Sequence, residues 1–161
     1  MFSPNKKNTS LPAQPDISQF RFAIVASEYN AKISDALLNG AIECLHLHNV
    51  TENNITVIRV PGAFEIPITA QRLAVTNNYS AIICLGAVIR GETAHFEYVA
   101  GECARGIQDV ALKTSVPVIF GVLATHTLKQ AQARAKNNDS NKGREAARAA
   151  IAMAALFNRL P

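Results

Sequence analysis

An eleven-residue segment concentrates side chains that could transfer protons and bind an anion. The segment Gly86–Phe96 reads GAVIRGETAHF and carries Thr93 and His95. Gly91 allows close approach of backbone to a ligand, and Thr93 can cap a following helix whose free N–H groups attract an anion. The positive end of that helix disfavours imidazolium, which predicts that His95 acts as a neutral base at about pH 7. A capping threonine beside a surface histidine is the alternative interpretation.

Aromatic and charged residues follow the other apolar segments of the chain. Tyr29, Phe64 and Phe120 lie at or just after three predicted strand ends, where they could sandwich a flat heterocycle. The alternative is that Phe64 and Phe120 are core residues. Glu65 could accept hydrogen bonds from a ligand, or be an acid in a first helical turn. Arg134 offers a bidentate grip on phosphate, with a solvated arginine as its alternative.

The elements that must position these residues alternate between strands and helices. Near-continuous apolar runs predict strands covered on both faces, as in a parallel sheet, at 22–26, 55–60, 81–86 and 116–121. Between and after them, apolar residues recur at helical spacing over 33–45, 64–76, 93–113, 128–136 and 142–158. This order predicts an α/β fold, a three-layer α/β/α sandwich with a central four-stranded parallel sheet. Ligands of such sheets bind beyond the carboxyl ends of the strands, which indicates the loops 27–30, 61–65, 86–95 and 121–127.

Length and composition favour a single domain with an extensively covered surface. The chain has 161 residues, 48% of them hydrophobic and only 17% charged, against roughly 25% charged in average domains. Residues 1–19 are polar and predict a flexible N-terminal arm on a single domain spanning 20–161. They contain no apolar stretch of a secretory signal, and no run of roughly 18 apolar residues occurs elsewhere, so a cytoplasmic protein without a membrane span is expected.

Charge and cysteine usage disfavour nucleic-acid and metal binding. The formal charge is +4, which suits an anionic small molecule, and no basic run interleaved with aromatics is present. Cys44, Cys84 and Cys103 lie in apolar patterns without CxxC spacing, which predicts buried reduced thiols. His46 and His48 are spaced wrongly for one helical face, so no metal site is predicted.

Several segments together resemble the lumazine synthase family. They are VPGAFEIP at 60–67, GAVIRGETAHF at 86–96 and NKGREAA at 141–147, with FGVL at 120–123, QA at 130–131 and RA at 134–135. The resemblance runs from about Phe20 to Asn158 in the expected order, and GAVIRGETAHF is its most specific part.

The resemblance implies an enzyme of riboflavin biosynthesis that needs no metal and no organic cofactor. It would condense 5-amino-6-(D-ribitylamino)uracil with 3,4-dihydroxy-2-butanone 4-phosphate, giving 6,7-dimethyl-8-ribityllumazine, phosphate and water. By position, His95 matches the catalytic proton-transfer residue. Residues matching the pyrimidine and ribityl pocket are Tyr29, Ala63, Phe64, Glu65, Ala87, Val88, Ile89 and Phe120. Those matching the phosphate site are Glu92, Thr93 and Arg134.

The family also implies an assembly. Its members form pentamers with active sites between neighbouring subunits, and many pack twelve pentamers into an icosahedral capsid of 60 subunits. The turn 136–140 lacks an insertion typical of members that stop at the pentamer, which favours the shell, and riboflavin synthase is a candidate partner. The sequence departs from the family pattern at Ala124, His126, Lys129, Lys136 and the turn 137–140. His126, where an acidic residue is usual, is interpreted as a surface histidine, with contact to substrate or to a neighbouring subunit as the alternative.

Two other classes of protein share this pattern of strands and helices. A flavodoxin-like or receiver-type binding module has the same layering, but 27–30 lacks the glycine of a flavin phosphate loop and Gly86 stands where a receiver has aspartate. A non-catalytic shell-forming or flavin-binding protein of the same fold is the second alternative. The presence of His95, Thr93 and Arg134 argues against it.

Overall fold

Four parallel strands form the centre of the molecule. The computed structural model describes residues 16–161, and its strands are β1 (Phe22–Ser27), β2 (Ile55–Val60), β3 (Ala81–Ile89) and β4 (Val118–Thr125). They lie in the order β2-β1-β3-β4, and every neighbouring pair is parallel. β1 and β3 are therefore central, whereas β2 and β4 are the two edges.

Five helices cover the two faces of the sheet. They are α1 (Ala31–Leu47), α2 (Ile66–Ala74), α3 (His95–Thr114), α4 (Leu128–Arg134) and α5 (Lys142–Phe157), with short 3₁₀ turns at Glu52–Asn54 and Ala63–Glu65. One buried cluster joins the sheet to α1, α4 and α5, and the other joins it to α2 and α3. The predicted three-layer sandwich with a four-stranded parallel sheet is confirmed.

The apolar patterns of the sequence are realised as buried faces. All six residues of β1 are buried, and so are the first eight of β3, because each strand is covered by helices on both sides. Along α1, Ile33, Leu37 and Leu45 of the predicted stripe are buried against the sheet. The three cysteines of the described region are free and buried, as expected, and burial raises the pKa of the Cys103 thiol to about 12.

Two strands extend further than the sequence predicts. β3 continues to Ile89 and β4 runs from Val118 to Thr125, so 86–89 and 121–125 are strand rather than loop. The reason is that these strands pair without interruption from Ile82 with Val118 to Ile89 with Thr125. Gly121, where the sequence predicts a loop to begin, lies within β4 and allows close packing: a Cβ there would lie 2.6 Å from the Leu85 side chain.

The end of the expected N-terminal arm packs onto the domain. Ile17 is buried in the cluster beneath α1, and the Asn54 side chain donates to the Ser18 carbonyl at 2.8 Å. Residues 1–15 lie outside the described residues, and the flexible arm there stays a prediction. Within 16–161, no helix is both long and apolar enough to cross a membrane.

Helices α1 and α5 pack closely together at Gly143. A Cβ on Gly143 would lie 1.9 Å from the Leu37 carbonyl oxygen, a separation that no rotation of a side chain can relieve. The neighbouring Asn141 is buried, caps α5 by accepting from the Arg144 N–H at 3.1 Å, and donates to the Ala135 carbonyl at 3.1 Å. This crossing fixes the start of α5 relative to the end of α4.

Replacing Gly143 with alanine is expected to destabilise the protein by about 3 kcal/mol or more, because the new methyl group forces α1 and α5 apart. Thermal unfolding and the yield of folded protein measure the effect. Gly101→Ala is the matched control, since Gly101 lies in α3 with no atom within 4 Å of the added Cβ. There the expected change is neutral or stabilising by about 0.5–1 kcal/mol. Equal stability of Gly143→Ala and the wild type would show that the helices separate at little cost.

Candidate active site

A cleft of about 590 Å³ opens at the carboxyl ends of β1, β2 and β3. It lies on the α2 and α3 side of the sheet, at the edge where α/β folds bind ligands. Its lining contains most of the residues that the sequence indicated, namely Tyr29, Ala63, Phe64, Glu65, Ala87, Val88, Ile89, Thr93 and His95.

Backbone hydrogen bonds hold Tyr29 at the mouth of this cleft. The Tyr29 N–H donates to the Pro61 carbonyl at 3.0 Å, which ties the loop after β1 to the loop after β2. Asn30 follows in the left-handed conformation, with φ of 55°, and its side-chain amide donates to the Ala87 carbonyl at 2.9 Å. Asparagine tolerates this conformation better than most residues. Tyr29 is thereby fixed between two strand ends while its side chain stays 74% exposed.

The turn after β2 presents a second aromatic ring. In the 3₁₀ turn, Ala63 is buried while Phe64 is 57% exposed and lines the cleft. The alternative interpretation of Phe64 as a core residue is therefore wrong. Glu65 combines both interpretations: one carboxylate oxygen accepts from the Gly62 N–H at 2.9 Å, which stabilises the turn, and the side chain also lines the cleft.

The wall opposite consists of the end of β3 and the first turn of α3. Ala87, Val88 and Ile89 contribute strand backbone, and His95 is the first residue of α3 with an exposed side chain. Thr93 is not the cap that the sequence predicts, because the helix begins one residue later with Ala94 in the capping position. Its hydroxyl instead accepts a long contact of 3.4 Å from the His95 N–H. Ala94, in the capping position, provides no side-chain hydrogen bond to the start of α3.

Phe120 and Arg134 lie in a different cleft. This second cleft, of about 390 Å³, is lined by β4, Arg134 and the first two turns of α5. Phe120 is 48% exposed, which excludes the core interpretation for it as well. Arg134 donates to the Gln130 carbonyl of its own helix at 3.1 Å and, among the described residues, has no carboxylate at ion-pair distance. Lys142 and Glu145, which pair at 2.7 Å, complete the polar side of this cleft.

The two clefts have no lining residue in common. The family resemblance implies a pocket that includes Phe120 and an active site between neighbouring subunits. Within one protomer, the Tyr29–His95 side and the Phe120–Arg134 side lie apart. The second cleft lies on β4, an edge strand of the sheet, where a neighbouring molecule can approach. Glu92 is exposed and lines neither cleft.

The chain matches the family model of 6,7-dimethyl-8-ribityllumazine synthase over residues 19–158. It belongs to the lumazine synthase family. Membership supports a role in riboflavin biosynthesis and implies small-molecule substrates and association into oligomers. Within 16–161, no group of three or more His, Cys, Asp or Glu side chains is arranged to hold a metal ion.

Three polar residues that line the two clefts are not among the site residues that the sequence indicates. Asn30 lies in a predicted strand-end loop, and a hydrogen-bonding side chain directly before a helix is a signal that could have identified it. Lys142 and Glu145 lie in the NKGREAA segment of this lumazine synthase family member, where a cation and an acid three residues apart are also typical of a solvated helix face. The structure places both in the cleft that Arg134 lines.

Proposed function

We propose that this protein is an active 6,7-dimethyl-8-ribityllumazine synthase. It condenses 5-amino-6-(D-ribitylamino)uracil with 3,4-dihydroxy-2-butanone 4-phosphate and releases phosphate and water. The observation that carries the proposal is the cleft at the ends of β1, β2 and β3, which brings two exposed aromatic rings and His95 to one place. A non-catalytic shell or binding protein of this family would not need the histidine there.

The aromatic side of the cleft suits the flat pyrimidine. Tyr29 and Phe64 expose large ring surfaces that water solvates poorly, and stacking a heterocycle on them removes this surface from water. Ala87, Val88 and Ile89 line the cleft beside the rings. The oxygen of Glu65 that does not hold the turn is placed to accept from ribityl hydroxyl groups.

The phosphate of the four-carbon substrate requires positive potential, which two features supply. The start of α3 presents backbone N–H groups without a side-chain cap, next to Thr93. Arg134 and Lys142 add two cations from the second cleft, and a bidentate guanidinium matches phosphate geometry. Fixed positive charge at the leaving group also favours phosphate elimination.

Because these features lie in two clefts of one protomer, the complete site is proposed to form between neighbouring subunits. The Tyr29–His95 cleft of one subunit would face the Phe120–Arg134 cleft of the next, so that Phe120 covers the pyrimidine and Arg134 reaches the phosphate. Head-to-tail contacts of this kind close into rings, consistent with the proposed pentamer and with pentamers packed into a 60-subunit shell. Sedimentation in an analytical ultracentrifuge distinguishes these assemblies.

His95 is assigned the proton transfers. An aryl amine attacks the ketone to give an imine with loss of water, and phosphate leaves by elimination to give an enol that tautomerises to a ketone. The second amine attacks this ketone and closes the ring with loss of a second water. Each step moves a proton, which one imidazole placed beside the substrates can both accept and return. The exposed position of His95 in the cleft leaves its ring free to reach substrate. Positioning of the two substrates contributes the rest, up to about 7–11 kcal/mol in favourable cases.

Incubation of the purified protein with both substrates tests the proposal. We expect lumazine fluorescence to develop together with stoichiometric release of phosphate. Omission of either substrate is the control for uncatalysed product. A folded oligomer that produces no fluorescence above the uncatalysed rate contradicts the enzyme and supports a non-catalytic or flavin-binding role.

A further inference from the structure

Arg90 lies at the junction between the end of β3 and the loop that leads to His95. Its Nε donates to Nδ1 of His126 at 3.1 Å, its guanidinium pairs with the Glu97 carboxylate, and its Cζ lies 4.5 Å from the centre of the Phe96 ring. The Arg90 backbone N–H also donates to the Thr125 carbonyl at 2.9 Å. These contacts, called here the Arg90 clasp, join β3, the first turn of α3 and the residue after β4.

The loop that the clasp closes has little else to hold it. Residues Gly91–Ala94 are exposed, and a Cβ on Gly91 would meet nothing within 4 Å. The Thr93 contact with the His95 N–H is long, at 3.4 Å. By contrast, Arg90 and Glu97 are joined across the whole loop, and Phe96 belongs both to the clasp and to the cleft wall. The conformation of the loop therefore depends more on the contacts of the Arg90 clasp than on contacts made by residues 91–94.

We propose that Arg90 is a positioning residue for Thr93 and His95, and that protonation of His126 weakens the contacts by which Arg90 holds the loop in place. The proposal rests on the proposed function for its kinetic consequences, but the clasp itself is a property of the fold. Arg90 acts through Glu97 and Phe96 rather than by contact with substrate.

The chemistry of the His126 ring gives the direction of the effect. Its Nδ1 accepts from Arg90 only when unprotonated, whereas an imidazolium presents a second positive charge to the guanidinium. The charged groups that face His126 are Arg90 from β3 and Glu97 from α3; Gln130 of α4 is neutral and accepts from the His126 backbone N–H at 2.8 Å. A protonated His126 thus repels Arg90 and competes with it for Glu97.

The environment of Glu97 is consistent with this competition. The hydrogen bond from Arg90 holds the pKa of the Glu97 carboxyl below its usual value, with a smaller contribution from the charge of His126. Glu97 therefore stays ionised while histidine side chains titrate, between about pH 5 and 8. Within the clasp, His126 is therefore the one member whose side chain can gain a proton while Arg90 and Glu97 both keep their charges.

His126→Asn isolates the titration, because the asparagine oxygen can replace Nδ1 as an acceptor without becoming charged. We expect KM for the butanone phosphate to rise in both proteins as the pH falls from about 8 to 6. The rise should be roughly two- to fivefold larger in the wild type than in His126→Asn, which is the size of effect that exposed ionic contacts allow. The titrations of His95 and of the substrate phosphate are common to both proteins and cancel in the comparison. Identical profiles would overturn the role of His126.

Arg90 is tested by a graded pair of variants. Arg90→Gln is expected to raise KM for the butanone phosphate about five- to tenfold and to speed amide hydrogen exchange over 91–97. Arg90→Lys retains the charge but not the planar fork. It should therefore keep the Glu97 contact, and its KM should lie between those of the wild type and Arg90→Gln. Unchanged exchange in Arg90→Gln, whatever the activity, would overturn the clasp. Wild-type protein that makes no lumazine would instead contradict the proposed function, and the exchange measurement would still decide the clasp.

Discussion

Replacing His95 with alanine is expected to lower kcat for lumazine formation about 10²–10⁴-fold, the usual contribution of a positioned acid–base group. The ring stands at the first position of α3, exposed to the cleft, so its removal leaves no gap in the core. Stability and oligomeric state should therefore stay at wild-type values. Steady-state kinetics with both substrates, alongside sedimentation and thermal unfolding, measure the three quantities.

His46→Ala is the matched control for this substitution. His46 contacts Glu52 at 3.1 Å near the end of α1. It lies at the amino ends of the strands, whereas the cleft lies at their carboxyl ends. Its loss removes an exposed side-chain contact and should leave kcat unchanged. Equal rates for His95→Ala and the wild type would remove His95 from the mechanism, whereas an equal loss in His46→Ala would show that the assay reports general damage to the protein.

The fold could be predicted from the sequence because its strongest patterns are those of burial. Near-continuous apolar runs predict strands with two covered faces, and β1 and β3 are such strands. Strand ends were harder to predict, and the predicted loops begin too early, at Gly86 and Gly121. In the structure each leaves room for a neighbouring side chain within the sheet, which depends on contacts far away in sequence.

The candidate site was predictable in its parts and not in its arrangement. Strand-end loops identified the neighbourhood of Tyr29, Phe64 and His95, which do line one cleft. Phe120 lies in a separate cleft on β4, which is an edge strand. The order of strands in a sheet cannot be predicted from any local sequence pattern. The Arg90–His126 contact could not be predicted from the sequence for a related reason. The two residues are 36 positions apart and meet only because β3 and β4 are paired in register to their last residues.

The division of site residues between two clefts leads to a test by subunit mixing. Arg134→Ala is expected to reduce kcat/KM for the butanone phosphate about 10- to 100-fold, because a charge-assisted contact to the phosphate is lost. His95→Ala is inactive for a different reason. If one subunit supplies His95 and its neighbour supplies Arg134, the two defects can be separated within a mixed ring.

Refolding or co-expressing His95→Ala and Arg134→Ala chains at equal amounts should therefore restore activity to about one quarter of the wild-type level. In a head-to-tail ring, each site takes an intact His95 cleft from one chain with probability of about one half and an intact Arg134 cleft from its neighbour with the same probability. A site confined to one protomer would restore nothing, because every chain carries a defect. The control is a chain bearing both substitutions mixed with wild type. It should give about one quarter for the shared site but about one half for a site within a single chain, so the two arrangements are distinguished twice by independent measurements.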